Sequence, residues 1–145
     1  MSQVSKRPLH KQVENKMFET LWEAISNLKD KQDIKNFISD ILSPSEKTMI
    51  AKRLAIAALL LRGYKYESIK ELLKVSQQTI ARVAVALNTN IGYKTAINKI
   101  ARSEATKEFW EDIQKLAHRI GVTRDTFKSE EYLNRKFGFE KKTFV

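Results

Sequence analysis

Val13, Met17, Leu21, Ala24, Ile25 and Leu28 recur every three or four positions behind a polar N-terminal arm. That spacing predicts a helix with one apolar face, ending near Asn27 to Asp30. A second helix is expected from about Lys31, with Asp30 as its cap and Ile34, Phe37, Ile38, Ile41 and Leu42 on one side. Ser43-Pro44-Ser45-Glu46 then gives a sharp start signal. Ser43 fits an N-cap, Pro44 the first helical position, and Glu46 the reciprocal member of a capping box. The helix opened there runs through Met49, Ile50 and the apolar block LAIAALLL to Gly63, a residue suited to a left-handed helix end. Apolar nearly all round, its second half must be buried on several sides, and a partner chain is expected to cover part of it.

The segment YESIKELLKVSQQTIARV, Tyr66 to Val83, reads as two short helices joined by a tight turn. Ile69, Leu72 and Leu73 of the first, Val75 in the turn, and Ile80, Val83, Ala84 and Leu87 of the second can share one small core. Ser76 is placed to cap the second helix, which leaves Gln77, Gln78, Ala81 and Arg82 largely on its outer side. A break is expected over Asn88 to Gly92, then a helix from Tyr93 to about Arg102 with Ala96, Ile97 and Ile100 inward. Phe109, Trp110, Ile113, Leu116, Ala117 and Ile120 mark another amphipathic helix, stopped at Gly121. A last short helix is expected from Ser129 to Phe137, followed by a fraying tail, GFEKKTFV. No internal repeat or low-complexity tract is visible.

Composition narrows this to an all-α fold. With 145 residues the chain can form one ordinary core or a compact domain with helical extensions, and four Gly and two Pro leave little material for the turns of an all-β fold. The absence of cysteine removes disulfides, thiolate metal sites and Cys nucleophiles. Neither an apolar signal-peptide core nor a membrane-length apolar run is present, so a soluble cytoplasmic protein is expected. Charge is more telling. Of the net +10, the segment Ser43 to Arg102 holds eleven Lys or Arg against three Glu, whereas the flanks on either side carry +1 each. A basic surplus confined to the segment with the helix-turn-helix pattern is what phosphate attraction requires, because each cation that meets a phosphate releases condensed counterions.

The run LSPSEKTMIAKRLAIAALLLRG followed by YKYESIKELLKVSQQTIARV resembles the Trp-repressor-like family, and within it the YerC/YecD-type branch. The likeness covers Leu42 to about Ile100. It is most specific at the Ser-Pro-x-Glu start, at Arg53, at Leu60-Leu61-Arg62-Gly63, at Thr79-Ile80-x-Arg82 and at Gly92-Tyr93-Lys94. The resemblance implies an all-helical, intertwined homodimer that presents two recognition helices to successive major grooves. On that reading, residues 1–102 form the helix-turn-helix domain, with dimerising helices over 11–63 and the helix-turn-helix over 65–87, and residues 103–145 are a C-terminal helical extension. Two departures stand out. The family's usual Gly in the turn is Lys74 here, so either a left-handed residue costs about 1 kcal/mol or the turn differs. Arg53 and Arg82 match the arginines that sandwich a tryptophan-like corepressor in the family, but Val83, Ala84, Val85 and Ala86 replace the polar residues that follow the second. Corepressor sensing is therefore not expected, nor is any other cofactor.

Base contact is assigned to Gln77, Gln78, Thr79 and Ala81, since side chains in the first turns of a groove-bound helix reach base edges. A glutamine amide can pair bidentately with adenine, and Gln78 is the better placed; Thr79 suits donation to phosphate or contact with a thymine methyl, and Ala81 only such a methyl. Lys65, Lys70, Lys74, Ser76 and Arg82 are assigned to phosphate, helped by the helix dipoles near Lys65 and Ser76. Arg53 is either a ligand or DNA contact or half of a structural ion pair. Trp22 and Trp110, each on an amphipathic stripe, are read as core or dimer-contact aromatics. Glu67 and Glu71 have Lys70 and Lys74 as helix neighbours, so ion pairs account for them. His10 and His118 are isolated, with no metal-ligand spacing and no Gly-rich phosphate loop, so no metal site and no enzyme activity are expected. The leading function is a dimeric, sequence-specific DNA-binding repressor. A DNA-recruiting accessory factor, replication-initiator-like or transposition-related, and a basic protein-interaction module are the alternatives.

Overall fold

A computed structural model describes residues 4–122 and Arg135. Apart from Arg135, the helix expected over Ser129 to Phe137 and the tail after it lie outside the described residues. The described residues form seven α-helices: α1 (Lys11–Asn27), α2 (Lys31–Ile41), α3 (Pro44–Leu61), α4 (Tyr66–Leu73), α5 (Gln77–Thr89), α6 (Gly92–Ile100) and α7 (Glu104–Ile120). Local chemistry sets most of their ends. The Asp30 carboxylate accepts from the backbone N–H of Gln32 at 2.7 Å and of Asp33 at 3.3 Å, opening α2. At α3 the capping box closes both ways: the Glu46 N–H donates to Ser43 Oγ at 3.2 Å and the Ser43 N–H donates to Glu46 Oε2 at 2.8 Å. Ser76 and Ser103 each accept from a backbone N–H three residues on, at 3.2 Å. Gly63 and Gly121 end α3 and α7 with φ of 97° and 79°, conformations that need no Cβ. The break expected over Asn88 to Gly92 is shorter, because α5 continues through Thr89 and α6 already starts at Gly92.

The chain divides into two compact units, Met1–Ile50 and Ala51–Val145, with the division inside α3. The second unit holds the core. Ile56, Ala57, Leu59, Leu60 and Leu61 of α3 are buried among Tyr64, Ile69, Leu72, Ile80, Val83, Ala84, Leu87, Ile97, Ile113 and Ala117. Here α4 packs on α5, α5 on α6, and α7 on α4. The chain's own helices bury Ile56, Ala57, Leu59, Leu60 and Leu61 in the second half of α3, while Leu54 stays exposed and Ala55 and Ala58 half-buried; α7 adds Ile113 and Ala117 to the core. Two expectations for α6 change. Ile97 is buried as expected, but Ala96 and Ile100 are exposed, since a nine-residue helix turns only one narrow stripe inward.

The first unit is built the opposite way. Its helices carry apolar stripes, yet no residue between 4 and 50 is buried. Val13, Met17, Phe18, Trp22 and Ile25 of α1 and Ile34 and Ile41 of α2 are all exposed. Phe18 and Trp22 stack on each other at 6.0 Å between ring centroids.

Ser68 carries the one buried side-chain oxygen without a partner among the described residues. An unmet hydroxyl costs free energy, so Ser68→Ala is expected to leave stability unchanged or raise it by up to about 1 kcal/mol. Leu59→Ala, which empties a wholly buried site, is expected to cost about 3 kcal/mol. Urea denaturation of the two variants checks both signs; marked destabilisation by Ser68→Ala would mean the hydroxyl has a partner after all.

Candidate nucleic-acid interface

Two helices of unequal length and a three-residue turn make the unit expected to read DNA. Ile69 and Leu72 of α4 and Ile80, Val83, Ala84 and Leu87 of α5 are buried, so α5 turns the opposite face outward. On that face Gln77, Gln78, Arg82 and Val85 are exposed, while Thr79 and Ala81 are half-buried. Gln78, Arg82 and Val85 stand at i, i+4 and i+7, one continuous stripe running from the helix N-terminus. Ser76 Oγ accepts the Thr79 N–H, and the two hydroxyls lie 2.9 Å apart. Thr79 is thus tied to the cap of its own helix, which fixes the first turn beneath the glutamines.

The turn takes the strained form. Lys74 adopts φ 51° and ψ 56°, the left-handed conformation that the missing glycine would have entered freely, and it is the only non-Gly residue with positive φ among those described. Lys52 of α3 steadies it, its ammonium donating to the Lys74 carbonyl at 3.3 Å. The Lys74 ammonium itself reaches Glu71 Oε2 at 3.5 Å in an exposed pair one turn apart, as the helix-pair reading expected. Such a pair is worth little. Lys70 and Arg82 are exposed and Lys65 is half-buried; of the five residues assigned to phosphate, Lys74 and Ser76 lie in the turn, Lys70 and Arg82 on the helices either side of it, and Lys65 at the start of α4. Lys52 escaped the sequence reading because nothing in a 22-residue separation marks it as a partner of the turn. Val85, in the sequence only a departure from the family pattern, is 60% exposed and gives this face of α5 an apolar surface.

Arg53 is exposed, and no ion pair joins it to another described residue. A concavity of about 420 Å³ in this unit lies against Arg62, Phe109 and Trp110. There the Arg62 guanidinium sits 4.3 Å over the Trp110 ring, a cation–π contact, and Phe109 meets Trp110 edge-on at 5.0 Å. Burial lowers the Arg62 pKa and raises that of Tyr64, each shift partly offset by the other group's charge. Among the described residues no helix is long and apolar enough to cross a membrane, and no group of three His, Cys, Asp or Glu is placed to hold a metal ion.

Residues 16–101 match the family model described as Trp repressor protein. The chain is also similar to the uncharacterized protein YerC of Bacillus subtilis (strain 168), 31% identical over 90 residues that make up 61% of this chain and 86% of that relative. No solved structure matches. The matched region runs from α1 through α6 and stops short of α7.

Replacing Lys74 by Gly removes the left-handed penalty at the cost of a freer unfolded chain and a weak surface pair, so Lys74→Gly is expected to raise stability by about 0.5–1 kcal/mol. Thermal melting of the two proteins tests this. A lower melting temperature for the glycine variant would show that the Lys74 side chain, not its backbone, holds the turn.

Proposed function

The chain belongs to the Trp repressor family, and from that premise we propose that it is a sequence-specific DNA-binding transcriptional regulator, a homodimeric repressor that reads the major groove. The observation that carries this is the outward stripe of α5, with Gln77, Gln78 and Arg82 exposed on a helix whose first turn is locked by Ser76 and which follows directly on the turn residue Lys74. Family membership supports DNA as the partner. The position of the basic surplus supports the same face, since +8 of the net +10 lies between Ser43 and Arg102.

In this reading Gln78 pairs with an adenine edge and Gln77 with a neighbouring base, while Ala81 and Val85 receive thymine methyl groups. The lysines, Ser76 and Arg82 hold the phosphates and set the register but carry no sequence information. Repression follows from occupancy. A two-fold dimer places two such helices in successive major grooves, so the operator is two-fold symmetric with half-site centres about 34–36 Å apart. The exposed apolar stripes of α1 and α2 support dimer formation, because an amphipathic helix gains its stability by burying such a stripe.

Selection of bound sequences from a random DNA pool tests the reading and should yield a symmetric motif. Gln78→Ala is expected to relax preference at one base per half-site, a loss of about 1–3 kcal/mol of discrimination. Lys70→Ala should instead weaken specific and random DNA alike and reduce the slope of log affinity against log salt by about 0.9 for each phosphate no longer neutralised. If both variants act equally on specific and random DNA, Gln78 does not read bases. If the protein prefers no sequence at all, the regulator assignment fails.

A further inference from the structure

The groove on the second unit has a floor and a wall of different origin. Its floor is α3, where Ala51, Leu54, Ala55 and Ala58 recur at i, i+3, i+4 and i+7, and its wall is Phe109 and Trp110 of α7, which lies beyond the residues matched by the family model. Ala51 and Leu54 are exposed, so the floor is open. The same chain carries an apolar ridge with nothing buried on it: Met17, Phe18, Trp22 and Ile25 of α1, with Phe18 50% and Trp22 53% exposed. Leaving both surfaces in water costs roughly 25 cal/mol for each Å² of apolar area.

Resting on the dimer reading above, we propose that α7 is part of the dimer clasp, and that α1 of a second copy seats its Phe18–Trp22 ridge in the groove between α3 and α7. Charge favours this occupant. Glu19 and Glu23 flank Trp22 on α1, and the rim of the groove carries Arg62 and Lys107. Among the described residues Lys107 is held only by an exposed pair with Glu104 at 3.4 Å, and Trp110, half-buried with the Arg62 guanidinium over its ring, lines the groove. Geometry favours it too. Each copy offers one ridge and one groove, so reciprocal seating closes a two-fold dimer that leaves neither surface over. Because the seat occurs twice, each needs to bury only about 800 Å² to reach the roughly 1,600 Å² of a standard interface.

The chain has no cysteine and two tryptophans, which makes the test clean. Full-length chains carrying Ser26→Cys are mixed with differently tagged chains carrying Ala105→Cys and treated with a short bis-maleimide, beside sedimentation of the same samples. Trp22→Phe chains report Trp110 emission on dilution from dimer to monomer. The proposal expects a dimer, a link between the two tagged chains, and a blue-shifted Trp110 emission in the dimer that is lost on dilution. Lys107→Glu, at an exposed position, should raise the dimer dissociation constant several-fold, and Trp110→Ala at least about tenfold. A dimer with no link and unchanged Trp110 emission overturns the α7 clasp while leaving the dimeric regulator intact. So does a dimer that still takes up anilinonaphthalene sulfonate stoichiometrically at Trp110, because the groove is then a small-molecule site. A link formed within single chains of the double variant Ser26→Cys with Ala105→Cys also rejects it. A monomer at all concentrations rejects both this clasp and the dimer reading.

Discussion

The burial of Ile56 to Leu61 is the constraint on which the reading unit depends. This last stretch of α3 is apolar around its whole circumference, and in the structure α4, α5, α6 and α7 all contribute to the core that encloses it. Gly63 then ends the helix in a left-handed turn, the Gly63 N–H donating to the Leu60 carbonyl and the Tyr64 N–H to that of Leu59, so the chain enters α4 in one direction only. Ile69 and Ile80, fully buried on the same core, hold the two short helices against it. The outward face of α5 is therefore a consequence of which residues the core needs, and the glutamines are exposed because Ile80, Val83 and Ala84 cannot be.

The turn between α4 and α5 shows how function is accommodated on that scaffold. A lysine in the left-handed region is unfavourable by about 1–2 kcal/mol, and glycine would avoid the cost. Lys52 offsets part of it by bonding the strained residue's carbonyl. In the proposed reading the lysine adds a cation where the helix pair would meet the backbone of a duplex. Local strain kept at a binding surface and compensated by a neighbouring element fits the proposed role better than a purely structural one.

The two halves of the chain divide stability unequally. The second unit encloses its own core, whereas the first presents amphipathic helices with no buried residue. Helices of 17 and 11 residues draw little from propensity alone, so α1 and α2 need another surface to justify their apolar stripes. The exposed apolar stripes of α1 and α2 are surfaces that the proposed dimer would bury.

Much of this was legible in the residues. The capping groups Asp30, Ser43 with Glu46, and Ser76 act through neighbours three residues away or fewer, so sequence spacing alone located the helix starts they govern. The alternation of Ile80, Val83, Ala84 and Leu87 with Gln77, Gln78 and Arg82 settled which side of α5 faces out, because helical period converts position directly into direction. Tertiary structure alone decided what covers α3, since apolarity states that a surface must be buried and not by which element. It alone joined Lys52 to Lys74 and Arg62 to Trp110, pairs 22 and more residues apart with no local signature. And it alone chose the left-handed form of the Lys74 turn over a different turn, because that choice balances a local penalty against the packing of two helices whose contacts only the folded chain supplies.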